Sequence, residues 1–172
     1  MNETMKTILE RRSVRKFTDK PVPEEILADL AEAAMHAPSG MCRKTWRFTV
    51  VSNKDAIKKL CCAIGNELGR EGYDMYKPTA VIIPSNLKDS PFGKEDNACA
   101  LQDIFLAAAS YGVGSVWINQ LQGICDKEEI RPVLRELGIP DDHIVYGIAA
   151  LGYADPSYAG VYREGGTVNF VR

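Results

Sequence analysis

From Pro23 to Ala37 the apolar residues Ile26, Leu27, Leu30, Ala34 and Met35 recur at the spacing of one helix face. Pro23 suits the first helical position and Pro38 the stop. The same spacing returns over residues 53 to 68 in Ile57, Leu60, Cys61, Ile64 and Leu68. It returns again from Gly93, where Ala98, Leu101, Ile104, Phe105 and Ala108 are expected to face inward until Gly112 ends the longest helix. A short helix is predicted over residues 4 to 11. Between these lie β-rich runs: "WRFTVVS" at 46–52, "TAVIIP" at 79–84, "SVWIN" at 115–119, and "HIVYGIAALGYA" at 143–154 as one last core strand. "DKEE" at Asp126 to Glu129 resembles a capping box that opens a helix which Pro132 breaks or restarts. Helices interleaved with strands predict an α/β/α sandwich. After it, residues 154–172 form a polar, Gly-rich arm ending in the β-like piece "TVNFV".

Length and charge narrow the function. A chain of 172 residues with 45% hydrophobic content builds one domain rather than two. Its 21 basic and 23 acidic residues leave a net charge of −2, so no general basic surface exists to follow a nucleic-acid backbone. No apolar run approaches the length of a membrane span, and a soluble, cytoplasmic protein is expected. The five cysteines, Cys42, Cys61, Cys62, Cys99 and Cys125, show neither paired C-x-x-C nor Cys/His ligand spacing, so no metal site is expected. Cys61, Cys99 and Cys125 read as small buried hydrophobes, and neighbours Cys61 and Cys62 should point to different sides of a helix. His36, His143, Trp46 and Trp117 read as structural residues.

Against this acidic background, "RRSVRKF" places Arg11, Arg12, Arg15 and Lys16 around Ser13 just after a predicted helix end. Guanidinium forks and a hydroxyl suit a local phosphate, and neither a G-x-G-x-x-G nor a P-loop fingerprint is present to bind one by backbone. A solvated basic stretch at a helix C-terminus, where cations are favoured, remains the other reading of these residues.

Three stretches in order, "RRSVRKF", "HAPSGMCRKTWRFTVV" and "AAASYGVGSVWINQL", resemble the FMN-dependent nitroreductase family over residues 8 to 152. The resemblance implies an α+β fold, a mixed sheet flanked by helices, over residues 1–153. It also implies a homodimer whose C-terminal arm, residues 154–172, crosses to complete the partner's sheet. It implies FMN as cofactor, with Arg11, Arg12, Ser13 and Arg15 at the phosphate and ribityl chain. Pro38, Ser39 and Gly40 would border the flavin of the partner subunit. Trp117, Ile118 and Asn119 would lie near the isoalloxazine edge, and Arg163, or Arg172 in its place, would complete the phosphate site.

The activity implied is that of an NAD(P)H oxidoreductase passing hydride through FMN to a small electron-poor acceptor, a nitroaromatic or quinone, by a ping-pong mechanism. Such chemistry belongs to the cofactor and calls for no nucleophile, triad or metal. The sequence departs from the family after A-P-S-G: Cys42 and Lys44 stand where relatives place flavin-facing asparagine and glutamine. Lys44 would then lie near the pyrimidine edge of the ring. The same departure keeps open a second reading, a protein that sequesters FMN with little turnover.

Overall fold

The computed structural model describes residues 1–158, 160 and 165–172. Helix α1 (Glu3–Glu10) begins where the Asn2 side chain accepts from Met5 N, and α2 (Glu24–Met35) follows Pro23, which serves as its cap rather than its first residue. Strand β1 (Trp46–Val51) leads into α3 (Lys54–Leu68), which Asn53 caps by accepting from Ala56 N and which Gly69 ends at φ 61°. Then come β2 (Ala80–Leu87), α4 (Gly93–Ser110), β3 (Gly114–Ile118), α5 (Arg131–Glu136), β4 (His143–Ile144) and β5 (Ile148–Gly152).

The strands order β1-β2-β5-β3, with β4 beside β2, and every pairing between named strands is antiparallel. A parallel bridge between Ser13 and Ser115 adds the segment after α1 to the outer side of β3. Alternation of side chains divides the core in two. Val81, Ile83, Val116, Ile118, Ile148 and Ala150 face α3 and α5, whereas Ala80, Ile82, Ala149 and Leu151 face α2 and α4. The expected α/β/α sandwich follows directly from that alternation.

Three expected boundaries shift, each for a local reason. Strand β2 runs on through Pro84, which falls between the ladder to β5 at residues 80–82 and the ladder to β4 at 86–87, where a missing N–H costs least. The single strand expected at 143–154 is broken, because Gly147 packs so closely on Trp117 that an added Cβ would lie 2.5 Å from the indole Nε1. The capping box at Asp126 does not form. Asp126 is bound by Arg131, 2.8 Å away, and by Lys88 at 2.7 Å, and α5 starts at Arg131 with Pro132 in its first turn, where proline is tolerated. Both pairings hold the Asp126 carboxyl below its ordinary pKa, Lys88 contributing most. Of the expected helix faces, Leu27, Leu30 and Ala34 are buried as expected, while Met35 is exposed.

Candidate functional site

The basic segment is docked rather than free. Arg11 closes α1, its N–H reaching Thr7 O, and the chain then runs extended. Val14 N donates to Ser115 O at 2.9 Å, Thr18 N to Tyr153 O at 2.8 Å, and Asp155 N to Lys16 O at 2.9 Å. Val14 is buried against Gly114, where a Cβ would come within 2.8 Å of its methyl. Burial of Val14 turns Ser13 and Arg15 to the opposite side of the strand-like segment. Lys16 is neutralised by Asp155 at 3.4 Å and bonds Ser157. The start of the arm is fastened here too, through Tyr158 Oη donating to Ser13 O at 2.6 Å.

Both readings of the arginines have a physical counterpart. Arg12 Nη1 donates to Leu9 O at 2.6 Å and Arg11 O at 2.8 Å, satisfying carbonyls at the end of α1. The guanidiniums of Arg11 and Arg15 make no hydrogen bond or ion pair among the described residues. An open cavity of about 420 Å³, lined by Arg11, Arg12, Val14, Ser115 and Ala154 among others, lies beside them.

At the far end of β3, Trp117 is 39% exposed, Ile118 is buried and Asn119 is exposed. Trp117 Nε1 donates to Asn119 Oδ1 at 3.3 Å, and Asn119 N to Gln120 Oε1 at 3.0 Å. The Ser13–Ser115 bridge thus sets the basic segment alongside β3, the strand that carries Trp117 and Ile118 and leads into Asn119.

The turn at residues 38–45 is built separately. Gly40 to Cys42 form a single 3-10 turn, and Met41, Cys42 and Lys44 adopt positive φ of 53°, 57° and 48°, conformations that persist only where surroundings impose them. What imposes them is the start of α4. The buried Asp96 accepts from Gly40 N at 2.7 Å and from Ser39 Oγ at 3.0 Å, while Ser39 Oγ accepts from Lys44 N at 3.0 Å. Any Cβ at Gly40 would collide with the Phe92 ring. Pro38, Cys42 and Lys44 are exposed. Beyond its internal bonds the turn reaches Asn86, Leu87 and Ser90, and among the described residues none of its hydrogen bonds goes to the basic segment or to Trp117.

Asp96 and Phe92 escaped the sequence reading, since an acid in a helix's first turn reads as an ordinary dipole partner and nothing local reveals a contact 56 residues away. Asp96→Ala is expected to lower stability by about 2 kcal/mol, because it strands the Gly40 N–H and the Ser39 hydroxyl. Denaturant unfolding with an unchanged m-value checks this. His143 is buried and bonds Ser85 Oγ through Nδ1 at 3.0 Å, a structural role. The expected contribution of Arg163 lies outside the described residues.

Comparison with known proteins gives this arrangement its family. The nitroreductase family model matches residues 8–153. A crystal structure of a nitroreductase with bound FMN from Bacteroides fragilis is 37% identical, covers 100% of both chains and superposes with a TM-score of 0.93. One with bound FMN from Desulfitobacterium hafniense is 26% identical, again over 100% of both chains, with a TM-score of 0.88. A protein of Archaeoglobus fulgidus, provisionally named an NADH dehydrogenase/NAD(P)H nitroreductase, is 33% identical over 159 residues, 89% of this chain and 86% of its own. With matched motifs, superposable fold and near-complete mutual coverage, the chain belongs to the nitroreductase family.

Proposed function

We propose that this chain, an oxidoreductase of that family, takes hydride from NADH or NADPH through FMN and passes it to a small electron-poor acceptor in a ping-pong cycle. The observation that carries the reading is the Ser13–Ser115 bridge, which sets the phosphate-type donors alongside the strand that bears the flat aromatic edge. The donor set suits FMN: Arg11, Ser13 and Arg15 offer a hydroxyl and two guanidiniums without partners among the described residues to a phosphate near −2 charge, with Arg12 beside them. FMN when bound supplies the acceptance and release of hydride. The protein's part is to grip the phosphate, wall the ring with Trp117, Ile118 and Asn119, and shield the site from water.

A second subunit is part of the proposal. Met5, Ile8 and Leu9 are all more than two-fifths exposed on α1, a helix with no buried residue, and Val168, Phe170 and Val171 at the chain end are exposed by 77%, 76% and 92%. The outer side of β3 already carries the Ser13 segment and the start of the arm, which leaves β1, unpaired on its outer side among the described residues, as the sheet edge for the far end of the partner's arm of residues 154–172. The 38–45 turn, which makes no hydrogen bond to its own chain's basic segment among the described residues, is suited to border the partner's flavin with Pro38, Ser39 and Gly40. Five free thiols suit the reducing cytoplasm.

Lys44, exposed on a turn whose backbone is fixed by Ser39 and Asp96, places a cation where reduction gathers negative charge on the ring. Lys44→Gln is expected to lower the two-electron potential by a few tens of millivolts, about 30 mV for each 1.4 kcal/mol of lost preference. A dye-equilibrated reductive titration of wild type and variant reads it.

Steady-state oxidation of NADH and NADPH with menadione or nitrofurazone tests the whole reading. Parallel double-reciprocal lines support ping-pong exchange. Tight FMN binding without turnover would favour sequestration, the reading that the substitutions at Cys42 and Lys44 keep in view.

A further inference from the structure

A cavity of about 410 Å³ lies between α3 and residues 72–79, the segment that enters β2, across β5 from the strand that carries Trp117. None of the residues proposed for the flavin lines it. Its volume falls in the range of small-molecule sites. The lining has an apolar part: Ile57 and Cys61 stand one turn apart on the buried face of α3, and Pro78 and Tyr73 come from the entering segment. Two polar atoms in the same lining lack a partner. Thr79 is 7% exposed and its hydroxyl has no hydrogen-bond partner among the described residues, and the buried hydroxyl of Tyr73 has none either. Burial first, and Cys61 next, push the Tyr73 phenol above its ordinary pKa, so it stays a neutral donor. A buried hydroxyl left unpaired costs free energy, and a group that occupies the cavity is what would satisfy these two.

The charges around the cavity point to the sign of that group. Lys54 and Lys58 stand one turn apart at the start of α3 and Lys77 comes from the entering segment; all three are exposed and make no ion pair among the described residues. Lys77 is placed by its backbone. With Met75 and Tyr76 it is the third successive non-glycine residue in the left-handed region, at φ 54°, and the Asp74 carbonyl accepts from its N–H at 2.8 Å. Two carboxylates oppose the lysines: Asp74, whose side chain already accepts from Tyr76 N at 2.9 Å, and Asp19. Three cations against two carboxylates leave a surplus of one, which suits a monoanion. Apolar side chains with one phenol ring, hydroxyl donors and ammonium groups complement a carboxylate carried on a compact aromatic body.

We propose that this cavity is a second ligand site, separate from the flavin, that takes an aryl monocarboxylate: the ring lies against Ile57, Cys61 and Tyr73, and the carboxylate meets the Lys54, Lys58 and Lys77 ammoniums with the Thr79 hydroxyl as a further donor. The ligand is bound and not transformed. The site does not rest on the oxidoreductase reading.

The test is calorimetric titration of the FMN-loaded protein with 2-naphthoate and with its neutral counterpart, 2-naphthalenemethanol. Wild type is expected to favour the carboxylate about tenfold, the scale of one charged hydrogen bond, and a protein with Lys54→Gln, Lys58→Gln and Lys77→Gln together to lose that preference. Thr79→Val, which removes an orphaned hydroxyl, is expected to raise the unfolding midpoint of the ligand-free protein while weakening naphthoate binding. Iodoacetamide labelling locates the ligand: Cys62, exposed in the cavity lining, is expected to be protected by naphthoate, and Cys42, exposed on the turn assigned to the flavin, is not. No saturable binding, an unchanged preference in the triple variant, wild-type affinity in Thr79→Val, or protection of Cys42 in place of Cys62 overturns the proposal. Menadione turnover and FMN content of the triple variant are expected to match wild type, so the oxidoreductase reading is judged separately. Loss of FMN from that variant also overturns the proposal, by assigning the lysines to the cofactor.

Discussion

Replacing Arg15 with alanine is expected to weaken FMN retention roughly ten- to a hundredfold, the loss of one charge-assisted hydrogen-bonding pair. Arg15 is exposed, makes no ion pair among the described residues, and lies with Ser13 on the side of the docked segment that the buried Val14 leaves free. Its removal should therefore leave the unfolding midpoint of the apoprotein nearly unchanged. Arg12→Ala is a useful contrast. Its guanidinium also holds Leu9 O and Arg11 O, so its effect is divided between the end of α1 and the cofactor. Fluorescence titration of apoprotein with FMN reads the affinities, and thermal unfolding reads the cost to the fold. An Arg15→Ala protein that binds FMN as wild type does would remove the basic segment from the site.

Truncation before Arg163 is expected to lower FMN content and dimer stability together. The segment removed includes Val168, Phe170 and Val171, apolar residues exposed by 77%, 76% and 92% in the single chain. Burying them along the free edge of a partner's β1 would contribute both apolar area and backbone hydrogen bonds. If each flavin site draws on both subunits, FMN binding and dimerisation are linked and must fall in step. Sedimentation of the truncated protein with and without FMN separates the cases. A monomer that keeps its full complement of FMN would contradict the shared site.

How much of this was legible in the sequence depended on whether the cause was local. Helices α2, α3 and α4 and strands β1 and β3 were readable because the apolar period, the caps and Gly112 lie in the same few residues as the elements they define. The gap at residues 145–147 was not, since it reflects close packing of Gly147 on an indole 30 positions away in the chain, and periodicity carries no record of such a neighbour. Asp126 looked like a cap because its sequence neighbours fit one, yet Arg131 and Lys88 compete for its carboxylate and win. In the site, the family resemblance drew attention to Arg11, Ser13 and Trp117, and the structure joined them through Ser115. It could not point to Asp96, whose importance comes from the tertiary contact that holds the left-handed turn.

The central claim is that the chain holds FMN on the Arg11–Ser13–Arg15 segment. Its most direct test is the visible absorption spectrum of the purified protein, followed by chromatographic identification of the chromophore released on denaturation. The account predicts a yellow protein that releases FMN in stoichiometric amount, and that rebinds it tightly after removal. A colourless protein that fails to take up added FMN, or one that releases FAD as its tightly bound flavin, would contradict it.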